Sequence, residues 1–196
     1  MKAFKLVRFG YFPTAETKQL LETFRMMVNR AIHISFAEGI RGRLRLRDRI
    51  YKEFQEKYEV VSFYPYCVAE VAWSILRKHK NRGRKPVANS LMMKMDSANY
   101  SMNHAILTLP FKKGKRLLVL LELGDYQRSF LLDETLKRGS VTVTERFIFI
   151  SFSKEIKALT PLRRVGIDLN EKSVVLSEGN DVRPFRSGSS AHGVRN

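Results

Sequence analysis

Cysteine is nearly absent from this sequence of 196 residues, in which Cys67 is the only one. A single cysteine excludes an internal disulfide and a zinc site built from cysteines alone, and it is typical of a reducing cytoplasm. The sequence also has no apolar run of about 18 residues, so it predicts no membrane span. Residues 1–10 alternate in polarity and lack the apolar block of a signal peptide. Together these absences predict a cytoplasmic protein.

Acidic residues are scarce relative to basic ones. The sequence contains 19 Asp and Glu against 36 Lys and Arg, which gives a formal net charge of +17. A surplus of this size repels itself, and a polyanionic partner explains it most simply, with nucleic acid first among the candidates. A ribosome-associated or membrane-surface protein is the alternative. The sequence has no long basic amphipathic helix with an aromatic face, which disfavours the membrane.

The first half of the sequence predicts a helical segment over residues 14–86. Thr14 is a suitable N-cap, and apolar residues recur in steps of three and four across residues 15–38. A loop at residues 39–42 leads into a second predicted helix that ends near Tyr58. A third helix follows, so three helices are expected here.

The third predicted helix begins near Pro65, which suits a first helical turn. We expect Cys67 and Trp73 to lie in the hydrophobic core against which this helix packs. Stacking of Trp73 against a nucleic-acid base is the alternative. No His or Cys residues fall at the spacing of a zinc site, so no zinc is expected.

The segments that flank the helices predict β-strands. Residues 2–9 alternate, with Phe4 and Leu6 on one face and Phe9 as a further candidate for that face, which predicts a strand. From residue 87 onward, short segments rich in strand-forming residues are separated by Gly, Asp and Pro, and YQRSFLL (126–132) is among them. The first strand has no local partner, so we expect it to pair with these later strands.

The predicted fold class is therefore α+β. A small antiparallel β-barrel is expected from residues 1–13 and 87–158, with the three helices at residues 14–86 inserted into it. A short linker is expected to follow the barrel, and a new structural unit begins near Arg163.

Two segments concentrate the basic residues and are the predicted nucleic-acid-binding sites. The first places an arginine at every second position: Arg41, Arg43, Arg45, Arg47 and Arg49. The second is a loop after the third helix that contains Arg77, Lys78, Lys80, Arg82, Arg84 and Lys85. Both are expected to contact phosphate groups. The alternatives are a solvated helix face for the first segment and capping of a helix C-terminus for part of the second.

Three segments resemble the TnpB (OrfB) family, proteins encoded by insertion sequences that are related to type V CRISPR effectors and usually described as transposases. They are KPVANSLMMKMDSANYSM (85–102), DYQRSFLLDETLKRGSVTVTERFIFISFSKE (125–155) and VGIDLNEKSVVLS (165–177). The third is the most specific, because GIDL followed by a short turn and an apolar strand resembles the first RuvC motif. The resemblance covers about residues 1–179.

The resemblance implies an RNA-guided DNA endonuclease of a prokaryotic transposon, with guide RNA and target DNA as its partners. Residues 1–13 and 87–158 would form the wedge-like barrel, and residues 14–86 would be the helical recognition insertion. Residues 163–179 would form the first β-hairpin of an incomplete RNase H-like (RuvC) domain. Residues 180–196 do not resemble the family, and we expect them to be a disordered tail.

The resemblance also implies a metal site. RuvC nucleases hydrolyse DNA with two Mg²⁺ ions about 4 Å apart, and each ion needs several oxygen ligands. Asp168 matches the first acid of the family and would be both a catalytic residue and a Mg²⁺ ligand, if further ligands completed the site. The sequence has no counterpart of the downstream Glu, the second Asp or the four-cysteine zinc site of the family. Glu171, Glu178 and Asp181 lie in the wrong places.

We therefore expect a truncated TnpB-like protein that binds nucleic acid, needs no cofactor and does not cut DNA alone. A standalone RNA- or DNA-binding regulator derived from such a protein is one alternative. Another is a chain that assembles with a separately encoded RuvC remainder. The GIDL segment also has an alternative interpretation, in which it belongs to an ordinary buried hairpin and Asp168 caps a turn.

Overall fold

The computed structural model describes residues 1–58, 60–79, 84–112, 114–157, 165–170, 173–178 and 181–186. Two compact units are present. Residues 2–155 form the larger unit, and the described strands beyond residue 156 belong to the smaller one. The α+β class predicted from the sequence is confirmed.

The larger unit contains four helices among its described residues. They are α1 (Ala15–Ala37), α2 (Arg43–Tyr58), α3 (Tyr64–Lys78) and α4 (Asp125–Leu132), and a single 3₁₀ turn covers Ser97–Asn99. The hydroxyl of Thr14 accepts a hydrogen bond from the Thr17 backbone N–H at 3.2 Å, which caps α1 as the sequence predicts. The three helices expected within residues 14–86 are thus present.

Seven antiparallel strands form a sheet that curls into a half-barrel. They are β1 (Lys2–Tyr11), β2 (Met92–Met95), β3 (Ser101–Asn103), β4 (Ile106–Lys112), β5 (Lys115–Glu122), β6 (Lys137–Thr144) and β7 (Phe147–Glu155). Their order across the sheet is β2-β6-β7-β1-β5-β4-β3. The first strand therefore lies in the middle of the sheet, paired with later strands as predicted, and α1 to α3 are inserted between β1 and β2.

The segment YQRSFLL was expected to be a strand and instead belongs to α4. The side chain of Gln127 accepts a hydrogen bond from the Gly124 backbone N–H at 3.2 Å, and this contact closes the first turn of the helix. The Phe130 ring lies 5.5 Å from the ring of Phe152, which belongs to the core. A local cap and one aromatic anchor thus outweigh the strand propensity of the segment.

The apolar residues expected on one face of β1 are divided between its two faces. Val7, Phe9 and Tyr11 are buried, whereas Phe4 and Leu6 are exposed. Side chains alternate between the two faces of a strand. Once one apolar residue of β1 is buried, the face of every other position on the strand is therefore fixed. Pairing with β7 decides it here, because Val7 and Phe9 lie opposite the buried Ile150 and Ile148.

Two contacts attach the helical insertion to the sheet region. The side-chain amide of Asn29 on α1 donates to the carbonyl of Ala88 at 3.0 Å and accepts from its N–H at 2.8 Å. The hydroxyl of Tyr64 on α3 donates to the carbonyl of Pro110 on β4. These hydrogen bonds join helix side chains to backbone groups of the sheet region, so they fix where the insertion lies on the strands.

Cys67 and Trp73 on α3 differ in burial. Cys67 is buried, as predicted, and this burial raises the pKa of its thiol to about 12. Trp73 is half-buried and borders an open cavity. The expectation that Trp73 packs in the core is thus wrong in part, because its ring lies at the edge of that core.

The smaller unit has a three-stranded antiparallel sheet formed by β8 (Val165–Asn170), β9 (Ser173–Glu178) and β10 (Asp181–Arg186), with β9 in the centre. The β8–β9 pair is the hairpin that the sequence predicts. Disorder was expected from residue 180 onward, and β10 contradicts this for residues 181–186. Pro184 is compatible with β10 because β10 is an edge strand. Residues 187–196 lie outside the described residues.

We expect Phe9→Ala to lower the free energy of unfolding by about 3–5 kcal/mol, because it leaves a cavity under a fully buried ring. Phe4 is the matched control on the same strand, and 73% of its surface is exposed. Phe4→Ala is expected to change stability by no more than about 0.5 kcal/mol. Urea unfolding followed by circular dichroism measures both values, and equal losses would contradict the observed face of β1.

Candidate nucleic-acid interface

The five arginines of the first predicted site do not form one continuous row. Within α2 the apolar stripe of Leu46, Ile50 and Phe54 is buried, and residues at every second position of a helix diverge around its axis. Arg43 and Arg47 share one side of α2, and the remaining arginines of the helix lie on another. The predicted site is therefore divided into separate parts.

Three of these arginines have acidic partners. Arg49 binds Glu38 at 2.7 Å and approaches Glu53 at 3.6 Å. Arg47 binds its neighbour Asp48 at 2.5 Å, and its guanidinium lies 5.0 Å from the centre of the Tyr66 ring. These bonds neutralise much of the charge that a phosphate would otherwise meet.

Arg43 is the third arginine with an acidic partner, at 3.7 Å from Glu70, and Glu70 binds Lys94 more closely at 2.6 Å. Arg41 and Arg45 are exposed, and among the described side chains neither lies within ion-pair distance of a carboxylate. Arg41 and Arg45 are thus the members of the first site that are most available to an external anion.

Glu53 is the centre of an ion-pair network between α1 and α2. Its carboxylate accepts a hydrogen bond from the Nε of Arg30 on α1 at 2.8 Å and also faces Arg49. The hydrogen bond from Arg30, followed by the charges of the nearby basic groups, lowers the pKa of Glu53. The network ties two helices together, so these arginines have a structural role.

The second predicted site is partly described. Arg77, Lys78, Arg84 and Lys85 are exposed, and the Nζ of Lys85 lies 3.3 Å from the Nδ1 of His33. Lys80 and Arg82 lie outside the described residues, so their assignment stays a prediction. The double hydrogen bond between Asn29 and Ala88 holds the segment after residue 84 against α1.

Members of the two predicted sites meet at one cavity of about 700 Å³, which we call the arginine cavity. Arg41 enters it from the α1–α2 turn, Arg77 from the end of α3 and Arg84 from the segment that follows. Its apolar wall includes Trp73 and Phe36. The fold therefore brings together residues that are far apart in sequence, and no carboxylate is among the described residues that line the cavity.

A third basic site was not predicted from the sequence. Lys112 and Lys115 at the β4–β5 turn line two neighbouring cavities of about 510 and 910 Å³, which we call the hairpin cavities, and Arg116 lines the first of them. Tyr100 contributes to the first cavity and Tyr51 to the second. No acidic residue is among the described lining of either. The available signal was FKKGKR (111–116), in which four of six residues are basic.

Asp168 lies on β8 opposite Val175 of β9, and Val175 lies opposite Pro184 of β10. The nearest described acid in register is Glu178, which lies opposite Val165. Three residues of strand separate that position from Asp168, a distance of about 10 Å. Two Mg²⁺ ions about 4 Å apart need carboxylates closer together than this. Among the described strands, no second acidic residue therefore lies beside Asp168 in register.

Neither the described side chains nor the comparisons with known proteins identify a metal site or a family. Among the described side chains, no three His, Cys, Asp or Glu groups are placed to hold a metal ion. None of the helices in the described part of the chain has the length and apolar character needed to cross a membrane. A scan against protein-family models finds no match, and a search of curated proteins likewise finds none.

Replacing Glu53 with Gln is expected to lower the free energy of unfolding at neutral pH by less than about 1 kcal/mol, because partly exposed ion pairs are screened by solvent. The pKa of Glu53 is lowered on folding. The carboxylate therefore stabilises the fold above its ordinary pKa of about 4.3, and this contribution is lost as the pH falls through the lowered value. Urea unfolding between neutral and acidic pH measures the difference.

Glu56→Gln is the matched control, because Glu56 is an exposed residue of the same helix. It is expected to leave stability nearly unchanged across the same pH range. A Glu53→Gln deficit that persists undiminished at the acid end would show that the ion pair is not its source.

Proposed function

We propose that this chain is a nucleic-acid-binding portion of a TnpB-like, transposon-encoded, RNA-guided DNA endonuclease. One observation carries the binding part of this proposal. The arginine cavity and the two hairpin cavities are each lined by at least two basic side chains and by no described carboxylate. Such open, cationic hollows attract phosphate groups and are costly to maintain without an anionic partner.

The charge balance supports the same conclusion. The chain has 36 basic residues. Among the described side chains, the basic residues that form ion pairs are Arg30, Arg43, Arg47, Arg49, Lys94 and Lys154, and none of them lines the three cavities. Glu38, Asp48, Glu53 and Glu70 of the helical region are used in these internal pairs. The cations at the cavities are thus left for an external anion, and a nucleic-acid backbone offers phosphates at regular spacing.

The family resemblance supports RNA and DNA as the two partners. In this proposal the helical insertion and the half-barrel hold guide RNA and its heteroduplex with target DNA through backbone charge and shape. The resemblance of VGIDLNEKSVVLS to the first RuvC motif gives Asp168 the role of one acid of the nuclease site. The described strands supply no second acid beside it, so we propose that the chain does not cleave DNA alone.

A standalone RNA- or DNA-binding regulator is the second candidate. One observation favours it, because β10 pairs with β9 and thereby covers one edge of the hairpin that carries Asp168. A paired edge is less prone to aggregation than an open one, and it suits a unit that works without further strands. The two functions differ in whether bound RNA directs the chain to complementary DNA, which the regulator does not require.

The triple substitution Lys112→Gln, Lys115→Gln and Arg116→Gln is expected to weaken binding to structured RNA. Each phosphate contact adds about 0.7–0.9 to the slope of log affinity against log salt, so loss of three contacts should flatten this slope by about 2. Fluorescence anisotropy at several salt concentrations measures the slope. The parent chain is expected to bind with a steep dependence on salt.

The matched control carries Lys5→Gln, Lys18→Gln and Arg128→Gln, three exposed positions outside the described cavity linings. It removes the same charge, yet it should flatten the slope much less, because salt screens exposed charges beyond about 10 Å. Equal effects of the two triple variants would mean that binding follows net charge instead of the cavities. Absence of any binding by the parent would overturn the proposed function.

Purified chain with millimolar Mg²⁺ is expected to leave labelled single-stranded and double-stranded DNA intact. The physical reason is that one carboxylate cannot hold the two ions that activate water and stabilise the leaving oxygen. Asp168→Ala should therefore behave like the parent in a gel assay of DNA length. Mg²⁺-dependent cleavage by the parent that disappears in Asp168→Ala would contradict this part of the proposal.

A further inference from the structure

We propose that the arginine cavity binds one unpaired nucleotide of a nucleic-acid strand. Its base would stack against Trp73 and Phe36, and its phosphates would lie among Arg41, Arg77 and Arg84. This inference rests on the proposed function and deepens it, because it assigns a particular ligand to one of the basic cavities.

The apolar wall of the cavity comes from two helices. On α3, Leu76 and Arg77 lie three and four residues after Trp73, so all three share one side of the helix and line the cavity. Phe36 comes from the last turn of α1 and keeps 53% of its surface exposed. Exposed aromatic rings in an open cavity offer the flat surfaces on which bases stack.

The turn after α1 positions Arg41 at the cavity. Gly39 has a φ of +62°, which continues the chain out of the helix in a left-handed conformation. The Ile40 N–H donates to the Ser35 carbonyl at 2.9 Å, and the Ser35 hydroxyl donates to the Ile40 carbonyl at 3.0 Å. Arg41 therefore extends from a turn that is held at both ends, which lowers the entropic cost of ordering it around a ligand.

Helix-end electrostatics explains only part of the charge in the cavity. α1 and α3 both end beside it, and each helix C-terminus carries about half of a negative charge. Three guanidinium groups exceed the sum of these two ends by about two positive charges. Because no described carboxylate lines the cavity, that excess is available to an external anion.

The size of the cavity and the exposure of its rings favour an unpaired nucleotide. Its volume of about 700 Å³ falls within the range of sites for small molecules, which runs from about 300 to 1,000 Å³. A paired base inside a duplex has both faces covered by its neighbours, so it cannot stack on a protein ring until it is extruded. A single-stranded or bulged nucleotide presents a free base and its phosphates together.

Trp73 is the only tryptophan of the chain, so intrinsic tryptophan fluorescence reports directly on this cavity. The test titrates the full chain with a short oligouridine or oligothymidine strand, with an abasic strand of the same length and with uridine monophosphate. Anisotropy of end-labelled strands measures binding separately. We expect the base-containing strand to quench Trp73 and the abasic strand to bind with little quenching.

Each of the remaining outcomes would overturn a different part of the proposal. Equal quenching by the abasic strand would overturn stacking. Equal affinity for uridine monophosphate and for the strand would assign the cavity to free nucleotides and overturn the strand as its ligand. Binding by anisotropy without quenching would overturn the cavity assignment and leave the proposed function in place. Absence of binding in both measurements would overturn both.

Substitutions test the same contacts without relying on fluorescence alone. Phe36→Leu removes an exposed ring and keeps Trp73, and it should weaken binding of a base-containing strand on the order of 5-fold to 100-fold, the cost of losing one stacked base. Binding of the abasic strand should stay unchanged. Circular dichroism confirms that the variant is folded, and an equal loss for both strands would contradict stacking at Phe36.

Arg77→Gln and Lys78→Gln form a matched pair. The two residues are adjacent, both are exposed, and only Arg77 lines the described cavity. Arg77→Gln should flatten the salt dependence of strand binding by about 0.7, the contribution of one phosphate contact in a single strand. It should also reduce the quenching of Trp73 at a fixed strand concentration. Equal effects of Lys78→Gln on both readouts would overturn the placement of phosphate in this cavity.

Discussion

The pairing of β1 with β7 is the constraint on which the larger unit depends. β1 is the first strand of the chain, yet it lies in the centre of the sheet, with β7 along its length and β5 at its C-terminal end. This pairing joins two strands that lie more than a hundred residues apart in the sequence. The helices and strands between them must therefore pack so that β1 and β7 can meet. The pairing makes the helices an insertion and gives β1 a buried face.

The positions of the basic cavities follow from this arrangement. The insertion is held at Asn29 and Tyr64 to segments that belong with the strands, and the hairpin cavities lie where helices and strands meet. The arginine cavity lies between the ends of α1 and α3. Hydrogen bonds from side chains to backbone groups make the two attachments specific. The cations that line the cavities are therefore held by a packed scaffold.

Acidic residues have a complementary role in the helical region. Glu38, Glu53 and Glu70 bind arginines or lysines between helices or between a helix and a strand. Each such pair is weak at the surface, but it removes a cation from the set that an external anion can reach. Because the acids are few, they neutralise one part of the helical surface and leave the cavities positive. The same scarcity thus shapes both the packing and the proposed interface.

Local sequence signals were sufficient for most of the elements. The cap at Thr14, the spacing of apolar residues and the glycines of the α1–α2 turn predicted the helices correctly, and alternation predicted most strands. One failure was at α4, where a tertiary contact made the choice. The other was at Phe9, which lies on the opposite face of β1 from Phe4 and Leu6. FKKGKR was overlooked as a site because it lies within a strand region, although its composition was visible.

The sequence by itself determined the class of fold and the strong positive charge, because periodicity and composition are properties of the chain alone. Only the tertiary structure decided which cations act together. Arg41, Arg77 and Arg84 meet at one cavity, whereas Arg49 is occupied by Glu38, and no spacing in the sequence separates these two outcomes. The physical reason is that charge is additive along a chain, but a binding site depends on distances that packing sets.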